Sequence, residues 1–232
     1  RRQRQMCIRD RFMSYVNEAL DELYADYFDS AYVEDGIFYN SAEEDWDDEH
    51  LKVLFVLKQP SNSDLLGEDY RSYDFDTLME SSVWQELLAR LYGIMNTDED
   101  GYPDYDEATD WDNMRDTFYN YPFAAINIIK DECSSSTSPS YLKRYARNNR
   151  DFLTDQLNIL QPDIIVCCGR DIFDIVNSAY SGIRSNNNYL KYDSDLDVIY
   201  FDTCHPSHRG GHGALEYAYD CMLSEYSDFL ED

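Results

Sequence analysis

Four short apolar blocks constrain this chain most: 52–57 (KVLFVL), 123–129 (FAAINII), 163–168 (DIIVCC) and 197–202 (DVIYFD). Each is rich in Val, Ile or Phe, and none alternates apolar with polar positions. A strand of that kind has both faces buried, as in a parallel sheet covered on two sides by helices. Helical stripes lie around the blocks. Phe12, Val16, Ala19, Leu20, Leu23 and Tyr27 form the first, and Trp84, Leu87, Leu88 and Leu91 the second. The third, from Tyr141 to Leu160, carries Phe152, Leu153, Leu157 and Leu160 and stops before Pro162. Two more run from Asp171 to Ala179 and from Leu215 to Leu230. Alternating strands and helices predict right-handed crossovers and a three-layer α/β/α sandwich around a central four-stranded parallel sheet.

The 232 residues, 43% of them apolar, suffice for one sizeable core, so a single domain over 1–232 is expected. No apolar run reaches membrane-spanning length, and no apolar signal core follows Arg1-Arg2-Gln3-Arg4-Gln5. The six cysteines form no C-x-x-C pair. Reduced thiols in a cytoplasmic protein are expected, with neither a metal site nor another cofactor, and a monomer.

Charge argues against a simple grip on nucleic acid. The net charge is −28, with 10 Lys/Arg against 30 Asp/Glu in residues 1–120 and 9 against 17 in the remainder. Acid is concentrated near 34–49 and 98–116, which lack helical or strand periodicity. They read as solvated acidic insertions, or as a surface for a protein partner. One stripe runs the other way. Lys143, Arg144, Arg147 and Arg150 recur along one helix, as a phosphate-binding face or as cations balancing nearby acids.

In a parallel α/β sheet the site lies beyond the carboxyl ends of the strands. Here those ends carry Lys58-Gln59-Pro60-Ser61-Asn62, then Lys130, then Gly169-Arg170, then Thr203-Cys204-His205-Pro206-Ser207-His208-Arg209. An imidazole at a strand end can donate to a developing anion. Ser207, Arg209 and backbone amides there can hold a phosphate.

The order of these elements resembles the uracil-DNA glycosylase superfamily, from about Lys52 to the C-terminus. A strand ending in Gln59-Pro60-Ser61 comes first, then a strand containing Asn127. A helix, Gln161-Pro162-Asp163 and a strand ending at Gly169 follow, and last comes His205-Pro206-Ser207. The resemblance implies a protein that flips out uracil or another modified base and excises it from DNA by hydrolysis. His205 would stabilise the departing base and Asn127 would read its edge, with Tyr73 or Phe75 stacking on it. Ser61, Lys130, Gly169, Ser207 and Arg209 would contact phosphates, joined by Arg144 and Arg147 of the basic helix. Gln59 stands where active relatives commonly use Asp or Asn, so Asp64, Glu68 or Asp69 would have to supply the carboxylate. The alternatives are a relative that binds a nucleobase, nucleotide or DNA with little or no turnover, and an acidic protein-interaction module.

Overall fold

The computed structural model describes residues 15–29, 31–40, 46, 51–60, 66–131, 137–184, 188–208 and 213–231. Along the chain come α1 (Tyr15–Tyr27), β1 (Gly36–Ile37), β2 (Val53–Leu57), α2 (Phe75–Leu78) and α3 (Ser82–Met95). Then follow α4 (Tyr105–Ala108), α5 (Trp111–Asn120), β3 (Phe123–Asn127), α6 (Pro139–Asn148) and α7 (Arg150–Leu160). The last third holds β4 (Ile164–Cys168), α8 (Ile172–Tyr180), β5 (Leu190–Asp193), β6 (Val198–Thr203) and α9 (Ala214–Glu231). Among the described residues no helix is long and apolar enough to cross a membrane.

The sheet is six-stranded and mixed, in the order β1-β3-β2-β4-β6-β5. The expectation of four parallel strands alone is therefore corrected. The four apolar blocks supply β3, β2, β4 and β6, which pair in parallel, and β1 and β5 add antiparallel edges. Every residue of β2, β3 and β4 is buried, as their unbroken apolar sequences require. Successive side chains point to opposite faces. Val53, Phe55 and Leu57 share a core with Leu87 and Leu91 of α3, Phe118 of α5 and Met222 of α9. Leu54 and Val56 face Leu20 of α1, Leu157 of α7 and Val176 of α8. Helices thus cover both faces, in three layers.

Three of the longer helices start at a side-chain cap. Ser81 accepts from the Val83 amide, Asp110 from Asp112 and Asn113, and Ser138 from Tyr141 ahead of Pro139. The single helix expected from Tyr141 to Leu160 is two. At Asn149 (φ −111°, ψ 29°) the chain leaves helical geometry between α6 and α7. The apolar spacing runs through this break, so periodicity alone does not reveal it.

The two acidic segments also depart from simple insertions. Asp35 is 1% exposed and Gly36–Ile37 is an edge strand. The Asn17 carboxamide binds the outward side of that strand, donating to the Ile37 carbonyl and accepting from the Ile37 amide. In 98–116, α4 and the start of α5 turn Ala108 and Met114 inward while their acids stay exposed.

Helices α3 and α9 approach closely at Gly93. A Cβ there would lie 2.5 Å from Leu223 Cδ1 and 2.7 Å from the Tyr219 ring. Both neighbours are fully buried and have little room to yield. Gly93→Ala is therefore expected to lower stability by about 1–3 kcal/mol through overpacking. Urea unfolding checks this, and a variant as stable as the parent would show that the two helices can slide apart.

Candidate functional site

Gln59, Lys130, Gly169 and His205 all follow the carboxyl ends of parallel strands, on one side of the sheet. Their surroundings separate them into two groups. The first lies at β2, β4 and β6. Gly169 takes φ +129°, a conformation that glycine adopts without strain, and its amide donates to the Thr203 carbonyl. A Cβ at Gly169 would sit 3.5 Å from His205 Cβ, so the β4 turn packs directly against the His205 turn.

His205 is half-buried, and its ring is oriented by its own turn. The Ser207 amide donates to His205 Nδ1 at 3.1 Å. A backbone N–H can only donate, so Nδ1 carries no proton and the neutral ring keeps its proton on Nε2. The Ser207 hydroxyl lies 2.9 Å from the same Nδ1, where it too can only donate. Ser207, expected to hold phosphate, thus buttresses the imidazole. Burial, then Arg90, Lys58 and His208, push His205 below its ordinary value. At neutral pH the group is an uncharged Nε2–H donor.

The sign of the pH dependence follows. An unfolded chain protonates this histidine near pH 6.5, whereas the folded chain does so only at lower pH. Below about pH 6.5 the unfolded state binds more protons, and stability falls until the folded value is passed. Nitrogen-detected NMR of the imidazoles is expected to show His205 as the Nε2–H tautomer at pH 7, titrating below 6.5. A midpoint above 6.5 would remove the donor assignment.

Beneath this turn lies a buried charge pair that sequence reading missed. Arg90 Nε donates to Glu86 Oε1 at 2.9 Å, and both side chains are inaccessible. Arg90 also donates to the Cys204 carbonyl at 3.0 Å, and Tyr105 donates to Glu86 Oε2 at 2.7 Å. The guanidinium therefore fixes the backbone immediately before His205. A groove of about 350 Å³ opens beside it, lined by Gln85, Glu86, Tyr105, Ser207 and His208. The available signal was the i, i+4 Glu86–Arg90 pair inside a helix otherwise rich in Leu, a pattern that reads equally well as a solvated face.

At β2, Lys58 donates to the Thr137 carbonyl, and Gln59 Oε1 accepts from the Thr137 hydroxyl. Burial pushes the Lys58 ammonium below its ordinary value. Both side chains lean on the segment entering α6.

The second group is closed. Lys130, expected to bind phosphate, is 0% exposed, with Nζ 2.6 and 2.8 Å from the two Asp35 carboxylate oxygens. Burial pushes its pKa down while Asp35 works against that. Asn127, expected to read a base edge, is 2% exposed, and its backbone amide and side-chain nitrogen both donate to Asp35 Oδ2. Tyr24 and Gln156 complete the shell around Asp35. Asn127 also ends a strand three spacings from that of His205, about 14 Å away.

The remaining expected residues scatter. Asp69 holds Arg71, which is buried and also bonded to Asp21 and Glu34. Phe75 is 1% exposed and packs edge-on against Trp111, so it cannot stack on a ligand. Tyr73 leans on Tyr70 at the margin of the core. Arg144 lies over the Tyr141 ring, whereas Arg147 lines a groove against α8. Ser61, Asp64 and Arg209 lie outside the described residues. No cluster of His, Cys, Asp and Glu among the described residues could hold a metal ion. No protein-family model matches the chain, and no curated protein matches it in sequence.

Proposed function

We propose that this chain is a divergent uracil-DNA glycosylase-like protein that excises an altered base, with His205 as the donor to the departing base. The observation that carries this reading is the Ser207 amide bond to Nδ1, which leaves Nε2–H as a neutral donor at the strand ends. Gln59 and His205 follow strands two spacings apart, roughly 10 Å, and the strand between them ends in Gly169. Gly169 lets the β4 turn pack directly on the His205 turn, which holds the imidazole at the strand ends where an extruded base would arrive. As the glycosidic bond breaks, charge gathers on the base, and the imidazole N–H strengthens its hydrogen bond as that charge grows.

A second reading has an observation in its favour. The Asp69 carboxylate is held by Arg71 and that of Glu86 by Arg90 and Tyr105, while Gln59 is neutral. Neither of those two carboxylates is free to activate water or to shield a cationic sugar, which leaves the exposed Glu68 among the described candidates. A relative that binds a nucleobase but turns over slowly fits that arrangement. Single-turnover assays on oligonucleotides, each carrying one altered base, separate the two. Abasic-site formation on one of them is expected. Binding with no cleavage across the panel would replace the enzyme by the binder.

A further inference from the structure

We infer that the groove between α6 and α8 is a seat for the phosphodiester backbone of a nucleic-acid strand, distinct from the His205 turn. It encloses about 500 Å³. Lys143, Arg147 and Arg150 line one side, Asp174 and Ser178 the other, and Ile175 contributes apolar surface. The break at Asn149 matters here, since Arg150 opens α7 and still reaches the groove that α6 lines.

The observation that points to an anion is geometric: three cations share one groove wall. Arg71, Arg90, Arg115, Lys130 and Lys191 each have a carboxylate within 4.0 Å, whereas Lys52, Lys58, Arg144, Arg170 and Arg184 have none among the described residues. Among the described residues neither Arg147 nor Arg150 has one. Lys143 is held by Asp171 at 2.7 Å, and Asp174 opposes part of the positive charge. The two arginines therefore carry the site, and their forked donors suit phosphate oxygens.

The lining favours a strand over a lone nucleotide. It includes no aromatic ring on which a base could stack. The cations span residues 143–150, eight residues of nearly continuous helix with roughly 10 Å of rise, so they suit more than one phosphate. One end of the groove is tied to the turn that packs on the proposed reaction centre. Asp171, the partner of Lys143, is two residues beyond Gly169, which packs on His205. A strand lying here would lead toward the base proposed above, and to that extent the inference rests on the glycosylase-like reading.

The test is fluorescence anisotropy of a labelled oligothymidylate, which offers no altered base, over a salt series from about 50 to 200 mM. Arg147→Gln with Arg150→Gln is expected to weaken binding by about tenfold or more at low salt. The slope of log affinity against log salt should fall by about 1.4, or about 0.7 per lost contact on a single strand. Arg115→Gln, which removes one positive charge on the opposite face of the sheet, should leave both unchanged. Melting curves verify that the arginine variants fold. Unchanged affinity and slope in the double variant overturn the proposal, as does an absence of binding by the parent at low salt. Competition by inorganic phosphate beyond its effect on ionic strength also overturns it, because the groove would then take free phosphate. A chain that binds through the groove but releases no base keeps this inference and loses only the glycosylase reading. Base release by a double variant with undiminished oligothymidylate affinity does the reverse.

Discussion

Asp35→Ala is expected to lower the unfolding free energy by about 3–5 kcal/mol, the usual cost of leaving a buried charge without its partner. Lys130 is inaccessible and sits under the rings of Tyr24 and Phe152, so water cannot replace the lost carboxylate without opening α1 or α7. The Asn127 amide and the Tyr24 hydroxyl lose an acceptor at the same time. The pH dependence gives a second readout. Without Asp35 the ammonium falls further below its unfolded value of about 10.4, so the unfolded state binds more protons, and the variant should gain stability as pH rises toward that value. Replacing Lys130 with Met in the same chain should recover much of the loss, since it removes the unpaired charge. Urea unfolding of the parent and the two variants at several pH values decides it. A loss under about 1 kcal/mol, an effect in the surface range, would mean that the network is solvated.

His205→Ala is expected to cut single-turnover base release by about 10²–10³, the range for loss of one donor to a developing anion. The effect should fall on the chemical step. Oligonucleotide affinity should change little, because neither Arg147 nor Arg150 touches this turn. Stability should also change little, because the ring is half-exposed and its described hydrogen bonds go to Ser207 alone. His205→Gln, which keeps a donor of different reach, should retain part of the rate. Release by His205→Ala within about threefold of the parent would exclude the imidazole from charge stabilisation, given the size that effect has elsewhere.

The parallel centre of the sheet was legible because burial on both faces leaves one kind of sequence, and 52–57, 123–129, 163–168 and 197–202 all have it. The edges were not. Two residues, Gly36 and Ile37, carry no periodicity, and their place depends on pairing with Ala125 and Ala124 far along the chain. Asp35 looked like one more surface acid because its partner, Lys130, lies 95 residues away. The same blind spot misplaced Lys130 and Asn127. Both follow or end a core strand, as site residues do, but what they face depends on a segment from elsewhere in the chain. The His205 turn was easier to read, since the Ser207 bonds that orient its ring are local. Arg90 was not, because its carbonyl acceptor at Cys204 is 114 residues distant.

The Asn17 side chain has a consequence for how copies of this protein meet in solution. A sheet ending in a bare strand offers a row of unfilled donors and acceptors on which a neighbouring molecule can build. Here a carboxamide from α1 imitates one residue of a further strand, filling both outward groups of Ile37. The β1 border is thereby finished within the molecule, and a two-residue strand leaves little length for an intruder to register against. Strong mutual repulsion at −28 keeps molecules apart at long range. The carboxamide acts where salt screens that repulsion and only the shape of the border remains.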